Sequence, residues 1–336
     1  MKSTKFGFQK LINFKLKIMK YSSLIAFCFY SIFLTSCTSD TTKTAEPEVI
    51  IDPVVVEPIV NTPLVSEVGL MWSYAPESSG IVLTNGSIYT FNDSGNPNVF
   101  YKVNPADGTL LQSITVTNFP NVDWEDITAD DNYIYLGDFG NNDGIRKDLK
   151  VLKISKAQFI NETAKTVNVT AEAIAFSYNE QTSFISSSTH NFDCETIISK
   201  ADNLYIFTKN RGDNKTSIYK LSKTPGQYSV SSLASYNVNG LVTGGDYNAQ
   251  TNEVILVGYS PSGHKNSFVY SLTNFNDDSF FSGTVVEKII GNSSNDWQTE
   301  GIAFGSLDGK KIYLSCETTA FSKAQLYSTD KTTLGF

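Results

Sequence analysis

The segment EDITADDNYIYLGDFGN, residues 125–141, contains the pattern on which the fold prediction depends. An acid begins a short apolar strand, a turn rich in Asp and Asn follows, and the β-branched and aromatic run YIYLG provides a second strand. Two such runs around an Asp/Asn turn are typical of an antiparallel β-hairpin. The segment therefore predicts a hairpin whose first strand starts at a carboxylate.

The same pattern occurs five times along the chain, with starts 48 to 70 residues apart. This spacing is close to the period of about 40–50 residues that is typical of four-stranded propeller blades. Runs with strand character follow each hairpin as third and fourth strands, except that the fifth copy ends before a fourth. The copies start at Glu77, Glu125, Glu195, Asp246 and Glu300.

A strand-like run, EVGLMWSY at residues 67–74, precedes the first copy. We expect it to supply the strand that the last blade lacks, because closing the ring removes an open sheet edge. The sequence thus predicts an all-β fold, a five-bladed β-propeller of four-stranded antiparallel blades closed by an N-terminal strand. Six blades are the alternative, but two loops, NNDGIRKD and KAQFINETAKT, explain the length of the second copy.

The N-terminal residues have the features of a bacterial lipoprotein signal. A Lys-rich stretch and a short apolar run end in Leu-Thr-Ser-Cys, which predicts a signal peptide over residues 1–36 and a lipid on Cys37. Residues 37–66 are rich in Pro and acids and are expected to form a flexible tether to a propeller domain over residues 67–336. We expect a protein of the bacterial cell envelope, lipid-anchored to a membrane and either periplasmic or surface-exposed. A transmembrane anchor is the alternative.

The composition limits the partners and the metals. The formal net charge of −8 argues against nucleic acid as a partner. The chain has two His residues, and neither they nor the Cys residues show zinc-ligand spacing. After signal removal and lipidation, Cys194 and Cys316 remain, and a disulfide between them is left open.

The repeat places acids at one mouth of the predicted channel. In a propeller blade the start of the first strand and the end of the second lie on the same face, near the axis. We expect Asp123 and Asp126 to make loop hydrogen bonds, because alternate strand residues face opposite sides. The residues predicted at this mouth include Glu77 with Asp93, Glu125 with Asp138, Glu195 with Lys209 and Arg211, Asp246 with Tyr259, and Glu300 with Glu317.

Carboxylates gathered around one axis repel each other unless some are protonated or a cation is bound. A site whose ligand atoms are all oxygens favours a hard ion, and Ca²⁺ tolerates irregular ligand geometry better than Mg²⁺ does. A calcium ion is therefore the expected cofactor. The alternative is that each acid accepts hydrogen bonds from backbone N–H groups of its own loop.

The motifs ESSG, NDSG, DWEDI, GDFGNN, DCETI, TKNRG, TGGD and EGIAF, between about residues 75 and 320, resemble a widespread bacterial family of secreted propeller proteins. Some of its members are labelled phytase-like or esterase-like. DWEDI and GDFGNN are the most specific of these motifs. The resemblance implies the propeller fold, but it gives little information about a reaction or a substrate.

The chain is also distantly similar to the calcium-activated nucleotidases, or apyrases, which are five-bladed propellers with a calcium ion in the tunnel. That family tends to have Ser where this chain has Asp246, and NDSG keeps Asp93 without the Arg that follows it in the family. The resemblance implies calcium more strongly than it implies nucleotide hydrolysis. The ligands that it implies are Ser79, Glu125, Glu195, Asp246 and Glu300.

Two functions remain open at this point. The first is a binding or scaffold module with a calcium-stabilised acidic channel mouth, whose partner is a glycan or a protein. The second is a calcium-dependent hydrolase of phosphoric esters or nucleotides, in which Lys209 and Arg211 bind the phosphate of a small molecule and Asp93 or Asp138 orients water. The first is preferred, because a phosphate-binding site usually carries more positive charge than this mouth does.

Overall fold

A computed structural model describes residues 64–261, 266–291 and 297–336. The predictions for the signal peptide, Cys37 and most of the tether fall outside these ranges. Within them no helix has the length and apolarity of a membrane span. A 3₁₀ turn lies at Lys156–Gln158 and a short helix, α1, at Lys331–Leu334. The strands, in chain order, are β1 (Ser66–Leu70), β2 (Ser78–Thr84), β3 (Ser87–Asn92), β4 (Val99–Val103), β5 (Leu110–Val116), β6 (Trp124–Ala129), β7 (Tyr133–Asp138), β8 (Lys150–Ser155), β9 (Thr166–Val169), β10 (Glu172–Tyr178), β11 (Cys194–Lys200), β12 (Asn203–Thr208), β13 (Lys215–Ser222), β14 (Gly226–Val230), β15 (Ser232–Asn237), β16 (Leu241–Asn248), β17 (Glu253–Tyr259), β18 (Ser267–Thr273), β19 (Thr284–Ile289), β20 (Thr299–Phe304), β21 (Lys311–Cys316) and β22 (Gln325–Asp330).

The strands form five sheets, which are the blades of a β-propeller. From the axis outward, blade 1 is β2-β3-β4-β5-β9, blade 2 is β6-β7-β8-β10-β14, blade 3 is β11-β12-β13-β15, blade 4 is β16-β17-β18-β19 and blade 5 is β20-β21-β22-β1. The innermost strands β2, β6, β11, β16 and β20 contact one another in this order, and β20 contacts β2. The predicted five-bladed fold is confirmed.

The N-terminal strand closes the ring as predicted. β1 pairs antiparallel with β22 in blade 5, with Ser66 opposite Ser328 and Leu70 opposite Gln325. The last blade therefore contains the first and the last strands of the described chain. The pairing satisfies backbone groups that would otherwise form an open edge.

Two blades differ from the prediction because they have five strands. β9 pairs with β5, and β14 pairs with β10, and both pairs are parallel. The segment KAQFINETAKT, expected to be a loop, contains the 3₁₀ turn and leads into β9. Each added strand comes from a long connection within the following blade, which is long enough to reach back to its neighbour's edge.

The core consists of five apolar clusters, one at each junction between neighbouring blades. Trp124 is fully buried between blades 1 and 2, where its ring packs edge-on against Phe91 with centroids 5.9 Å apart. Removing such a large ring from water contributes roughly 2–3 kcal/mol. Trp124 thus faces the core, while its neighbours in the strand face the channel side.

Each innermost strand carries a β-bulge near its start. The register with the second strand shifts there, so that the bulged residue is left out of the ladder. Bulges of this kind redirect a side chain and are common beside functional sites. The bulged positions include Ser79, Glu125, Glu195, Thr243 and Glu300.

Candidate functional site

A cavity of about 250 Å³ lies where the innermost strands begin and the second strands end. Five carboxylates line it against two basic side chains, so that its lining carries more acids than bases. The bulges bring one side chain from each of four blades to this mouth. The lining residues are Ser79, Asp93, Glu125, Asn142, Glu195, Lys209, Arg211, Tyr259, Gln298, Glu300 and Glu317.

Three carboxylates at one side of the cavity form a compact group, which we call the acid triad: Asp93, Asp123 and Glu125. One oxygen of each lies within 4.8 Å of the others. Glu125 is only 4% exposed, and in the described part of the chain no hydrogen-bond donor or basic side chain pairs with its carboxylate. An uncompensated buried carboxylate is costly. The triad therefore has the arrangement of a cation site without a protein counter-ion.

Burial and mutual repulsion raise the pKa values of the triad. Burial raises the pKa of Glu125 well above its usual range, and the nearby carboxylates of Glu195 and Asp93 raise it further. Burial, followed by the charge of Asp93, raises the pKa of Asp123 to about 6. The pKa of Asp93 is also raised, chiefly by burial. A cation bound among these groups would reverse this effect by favouring their ionised forms.

A second acidic group consists of Glu125, Asp193 and Glu195, with one oxygen of each within 4.8 Å of the others, and in this group Asp193 and Glu195 are paired with bases. Lys209 Nζ lies 2.5 Å from Glu195 Oε2, and Arg211 Nε lies 3.1 Å from Asp193 Oδ2. The Asn141 backbone N–H also donates to Asp193 Oδ1, at 2.8 Å. Two acids thus face two bases. Lys209 and Arg211, predicted to bind phosphate, are engaged in these ion pairs.

Blade 5 contributes two glutamates that both accept a hydrogen bond from the same side-chain amide. Gln298 Nε2 donates to Glu300 Oε1 at 2.9 Å and to Glu317 Oε2 at 2.6 Å. Burial raises the pKa of Glu317 well above its usual range, and the charge of Glu300 adds to this effect. Glu300 is 3% exposed, and its second oxygen, Oε2, has no hydrogen-bond partner.

The structure brings most of the predicted site residues to this mouth. They come from all five blades and lie on β-bulges, at the end of a second strand or in the loops that follow second strands. Three predicted residues do not line the cavity: Glu77 is exposed and accepts a hydrogen bond from Asn96 Nδ2, and Asp246 and Asp138 are placed elsewhere. The predicted residues that line the cavity are Ser79, Asp93, Glu125, Glu195, Lys209, Arg211, Tyr259, Glu300 and Glu317.

Asp246 lies at the opposite mouth of the channel, on a cavity of about 880 Å³. Its carboxylate accepts hydrogen bonds from the backbone N–H groups of Tyr247 and Phe304, at 2.8 and 2.9 Å. Burial raises its pKa to about 7. The position that matches Glu125 in blade 4 is Thr243, three residues earlier, because the bulge there precedes the acid that the repeat alignment selected.

Asp138 points away from the cavity. Asp138 pairs with Trp124 in the ladder of blade 2. The position that Asp93 occupies in blade 1, directly after the second strand, is taken in blade 2 by Phe139. Its carboxylate lies 2.9 Å from Arg146 and 3.1 Å from Lys150. Asp138 is thus a buried ion-pair residue on the side of the blade.

Sequence reasoning missed three residues that lie two positions before the bulge: Asp123, Asp193 and Gln298. Asp123 was expected to make loop hydrogen bonds but belongs to the acid triad. The sequence does contain a signal for these residues. Two copies of the repeat have Asp two positions before the Glu, as DWE and DCE, and a third copy has Gln there, as QTE. Asp126 does accept backbone hydrogen bonds, from Ile127 at 2.8 Å and from Ile197 of the next blade at 2.9 Å.

The two cysteines of the described residues are free thiols. Cys194 and Cys316 are both buried, in blades 3 and 5, which are not adjacent in the ring. The disulfide that the sequence left open is therefore not formed in this structure.

Solved structures that are similar to this chain are β-propeller proteins of varied function. A glutaminyl cyclase of Myxococcus xanthus is 10% identical with a TM-score of 0.45, and the match covers 76% of this chain and 93% of that one. A calcium-binding protein, regucalcin, of Agrobacterium tumefaciens is 10% identical with a TM-score of 0.42, over 80% of this chain and 94% of that one. An exo-β-1,3-galactanase of Phanerochaete chrysosporium is 11% identical with a TM-score of 0.47, over 79% and 63%.

No protein-family profile and no curated protein matches the sequence. At about a tenth of positions identical, the structural likenesses leave function to be argued from the residues of the site.

Proposed function

We propose that this protein is an extracytoplasmic binding module whose channel mouth holds a Ca²⁺ ion at the acid triad, Asp93, Asp123 and Glu125. The observation that carries the proposal is the buried Glu125 carboxylate, which has no donor or basic partner among the described residues and lies within 4.8 Å of two further carboxylates. Ca²⁺ suits such a set because it binds oxygen ligands in irregular geometry.

The charge of the cavity supports a binding role over phosphate chemistry. Lys209 and Arg211 are paired with Glu195 and Asp193, so that they add no net positive charge. The remaining lining acids attract cations. In this proposal the ion holds the loops of blades 1 and 2 in place, and those loops present the surface that meets a glycan or protein partner.

A calcium titration of the melting temperature tests the ion site. A ligand that binds only the folded state stabilises it by about 2.7 kcal/mol at a 100-fold excess over its Kd. This corresponds to a rise in Tm of roughly 5–10 °C for a domain of this size. We expect that rise in the chelator-stripped protein on adding Ca²⁺, and we expect Glu125→Gln to abolish it.

The matched control is Asp246→Asn, which changes a buried acid at the other end of the channel. This variant should keep the calcium-dependent rise in Tm even if its baseline Tm is lower. If the Tm of the wild-type protein does not change with Ca²⁺ concentration, the ion site is disproved. The triad would then be a set of protonated acids with a structural role.

A calcium-dependent phosphoric-ester hydrolase is the second candidate. The unpartnered Oε2 of Glu300 favours it, because a buried acceptor in the cavity is placed to orient a water molecule. The test is phosphate release from nitrophenyl phosphate and from nucleoside triphosphates, with and without Ca²⁺. Activity that Glu300→Gln removes, in a protein that keeps its calcium-dependent rise in Tm, would establish the hydrolase; no release by the wild-type protein would leave the binding module.

We also propose that Cys37 carries a lipid and anchors the protein in the bacterial cell envelope. The motif Leu-Thr-Ser-Cys after an apolar run supports this proposal. Expressed in a bacterium with its signal, the wild-type chain should fractionate with membranes, whereas Cys37→Ser should not carry a lipid, as read by mass spectrometry. A Cys37 without lipid in the wild-type chain would contradict the anchor.

A further inference from the structure

The channel has a second mouth, on the face opposite the acid triad, and a cavity of about 880 Å³ lies there. Its rim is formed by the turns that join the first and second strands of all five blades. The volume falls within the range of about 300–1,000 Å³ that is typical of small-molecule sites. The turns lie at residues 85–86, 130–132, 201–202, 249–252 and 305–310.

These turns are held in place by contacts between neighbouring blades. Lys156 Nζ of blade 2 lies 3.2 Å from Asn85 Oδ1 in the turn of blade 1. Lys223 Nζ, which follows β13 of blade 3, lies 3.0 Å from Asp130 Oδ2 of blade 2. Asn248 Nδ2 of blade 4 donates to two carbonyl oxygens in the turn of blade 5, at 3.0 and 3.3 Å. A rim whose shape is fixed before a ligand arrives loses little conformational entropy on binding.

The charge of this cavity disfavours an anionic ligand. Among the described residues Lys223 is the one base in its lining, and the Lys223 ammonium is paired with Asp130. Asp131 and Asp202 are exposed and form no ion pair within the described chain. Asp246 is occupied by two backbone N–H groups. A phosphate, sulfate or carboxylate group would therefore meet like charge and no free base.

The rest of the lining combines planar polar groups with apolar surface. The side-chain amides of Asn132 and Gln250 are exposed and make no hydrogen bond within the described chain, so each can both donate and accept. Tyr247 is half-buried, and Leu83 and Phe304 lie near the ends of their innermost strands. Sugar rings suit such a lining, because their C–H faces pack on aromatic and apolar side chains while their hydroxyl groups bond to amides and carboxylates.

We propose that this second mouth binds a neutral oligosaccharide. In this proposal the sugar hydroxyl groups pair with Asn132, Gln250 and the exposed acids Asp131 and Asp202, and one ring face lies on Tyr247. The site is separate from the acid triad and uses none of its residues. Binding of the sugar therefore does not depend on Ca²⁺.

Calorimetric titration of the full chain with neutral hexasaccharides of glucose, mannose, xylose and galactose tests the site. We expect at least one of them to bind with the same affinity in chelator and in Ca²⁺, and we expect hexagalacturonate, which is anionic, not to bind. Gln250→Ala should weaken the affinity about 2- to 10-fold, because one hydrogen bond is lost. The matched control is Gln227→Ala, the same change at an exposed position of β14, which should leave the affinity unchanged.

Hydrogen exchange locates the bound sugar. The sugar should slow amide exchange in the turns of blades 4 and 5 and leave exchange unchanged at residues 139–148, beside the acid triad. No binding of any of the neutral hexasaccharides, or equal affinity of Gln250→Ala and the wild-type protein, would overturn the proposal. Binding that requires Ca²⁺ would also overturn it, because the sugar would then lie at the acid triad. Loss of the ion site alone would leave this second site intact.

Discussion

Four acids around Trp124 have three different environments. Asp123 and Glu125 belong to the acid triad, where they lack basic partners. Asp126 faces the channel, where it accepts backbone hydrogen bonds from its own and the next innermost strand. Asp130 closes the turn of the hairpin by accepting from two backbone N–H groups and from Lys223 Nζ. One short stretch thus combines a candidate ion site with two structural uses of a carboxylate.

The raised pKa of Asp123 predicts a pH dependence of stability in the metal-free protein. Its pKa is about 6 in the folded chain and roughly 4 in an unfolded one. Between these values the folded state holds more protons than the unfolded state, so stability falls as pH rises from about 4 to about 6. Urea midpoints of calcium-free protein across this range should fall less steeply for Asp123→Asn. Equal slopes would contradict the raised pKa.

At the scale of the element, the innermost strands are held close together by glycine directly after the bulge. A Cβ at Gly244 would lie 2.2 Å from the carbonyl oxygen of Glu300 on the next blade, and one at Gly80 would lie 2.9 Å from the Cα of Asp126. Because the neighbour at Gly244 is backbone, it cannot rotate out of the way. Glycine here permits the narrow spacing of strands around the axis.

We therefore expect Gly244→Ala to lower the free energy of unfolding by about 3 kcal/mol, as overpacking of a filled interior does. Urea denaturation measures the loss. Ser235→Ala, on the exposed outer strand β15, should change stability by less than about 0.5 kcal/mol. A Gly244→Ala protein of wild-type stability would mean that the blades can separate at the axis without cost.

Most elements were predictable from the sequence, because β-hairpins carry a local pattern of alternating residues and turn chemistry. The bulges were not, since a one-residue shift in register leaves that pattern unchanged; this is why Asp246 was aligned where Thr243 lies. In blade 2 the same kind of error is one residue long: Asp138 was aligned with Asp93, but the residue at the matching position is Phe139. β9 and β14 were missed because their pairing depends on a neighbouring blade rather than on their own short sequences.

At the scale of the whole molecule, one strand pair closes the ring. β1 and β22 are far apart in sequence, and the end of the chain lies close to the start of the described residues, since Thr329 Oγ1 donates to Leu64 O at 2.6 Å. With the ring closed, each of the five blades packs against a neighbour on both sides. We expect the domain to unfold in a single transition as long as this pair holds.

A disulfide across the closure tests its contribution. Ser66 and Ser328 are directly opposite each other, and changing both to Cys would link two ends of nearly the whole domain. Loop-closure entropy alone would stabilise the folded state by up to about 5 kcal/mol. The oxidised double variant should therefore melt higher than the same protein under reducing conditions. No difference would show that opening of blade 5 does not limit unfolding.

The position of β1 in the last blade also sets the order of events during synthesis. Blade 5 needs residues from both ends of the domain, so it cannot form until β22 has left the ribosome. Contacts between residues so distant in sequence make folding slow. A nascent chain of this design stays incomplete while it is being made, and β1 lacks its partner strand until synthesis of the domain ends.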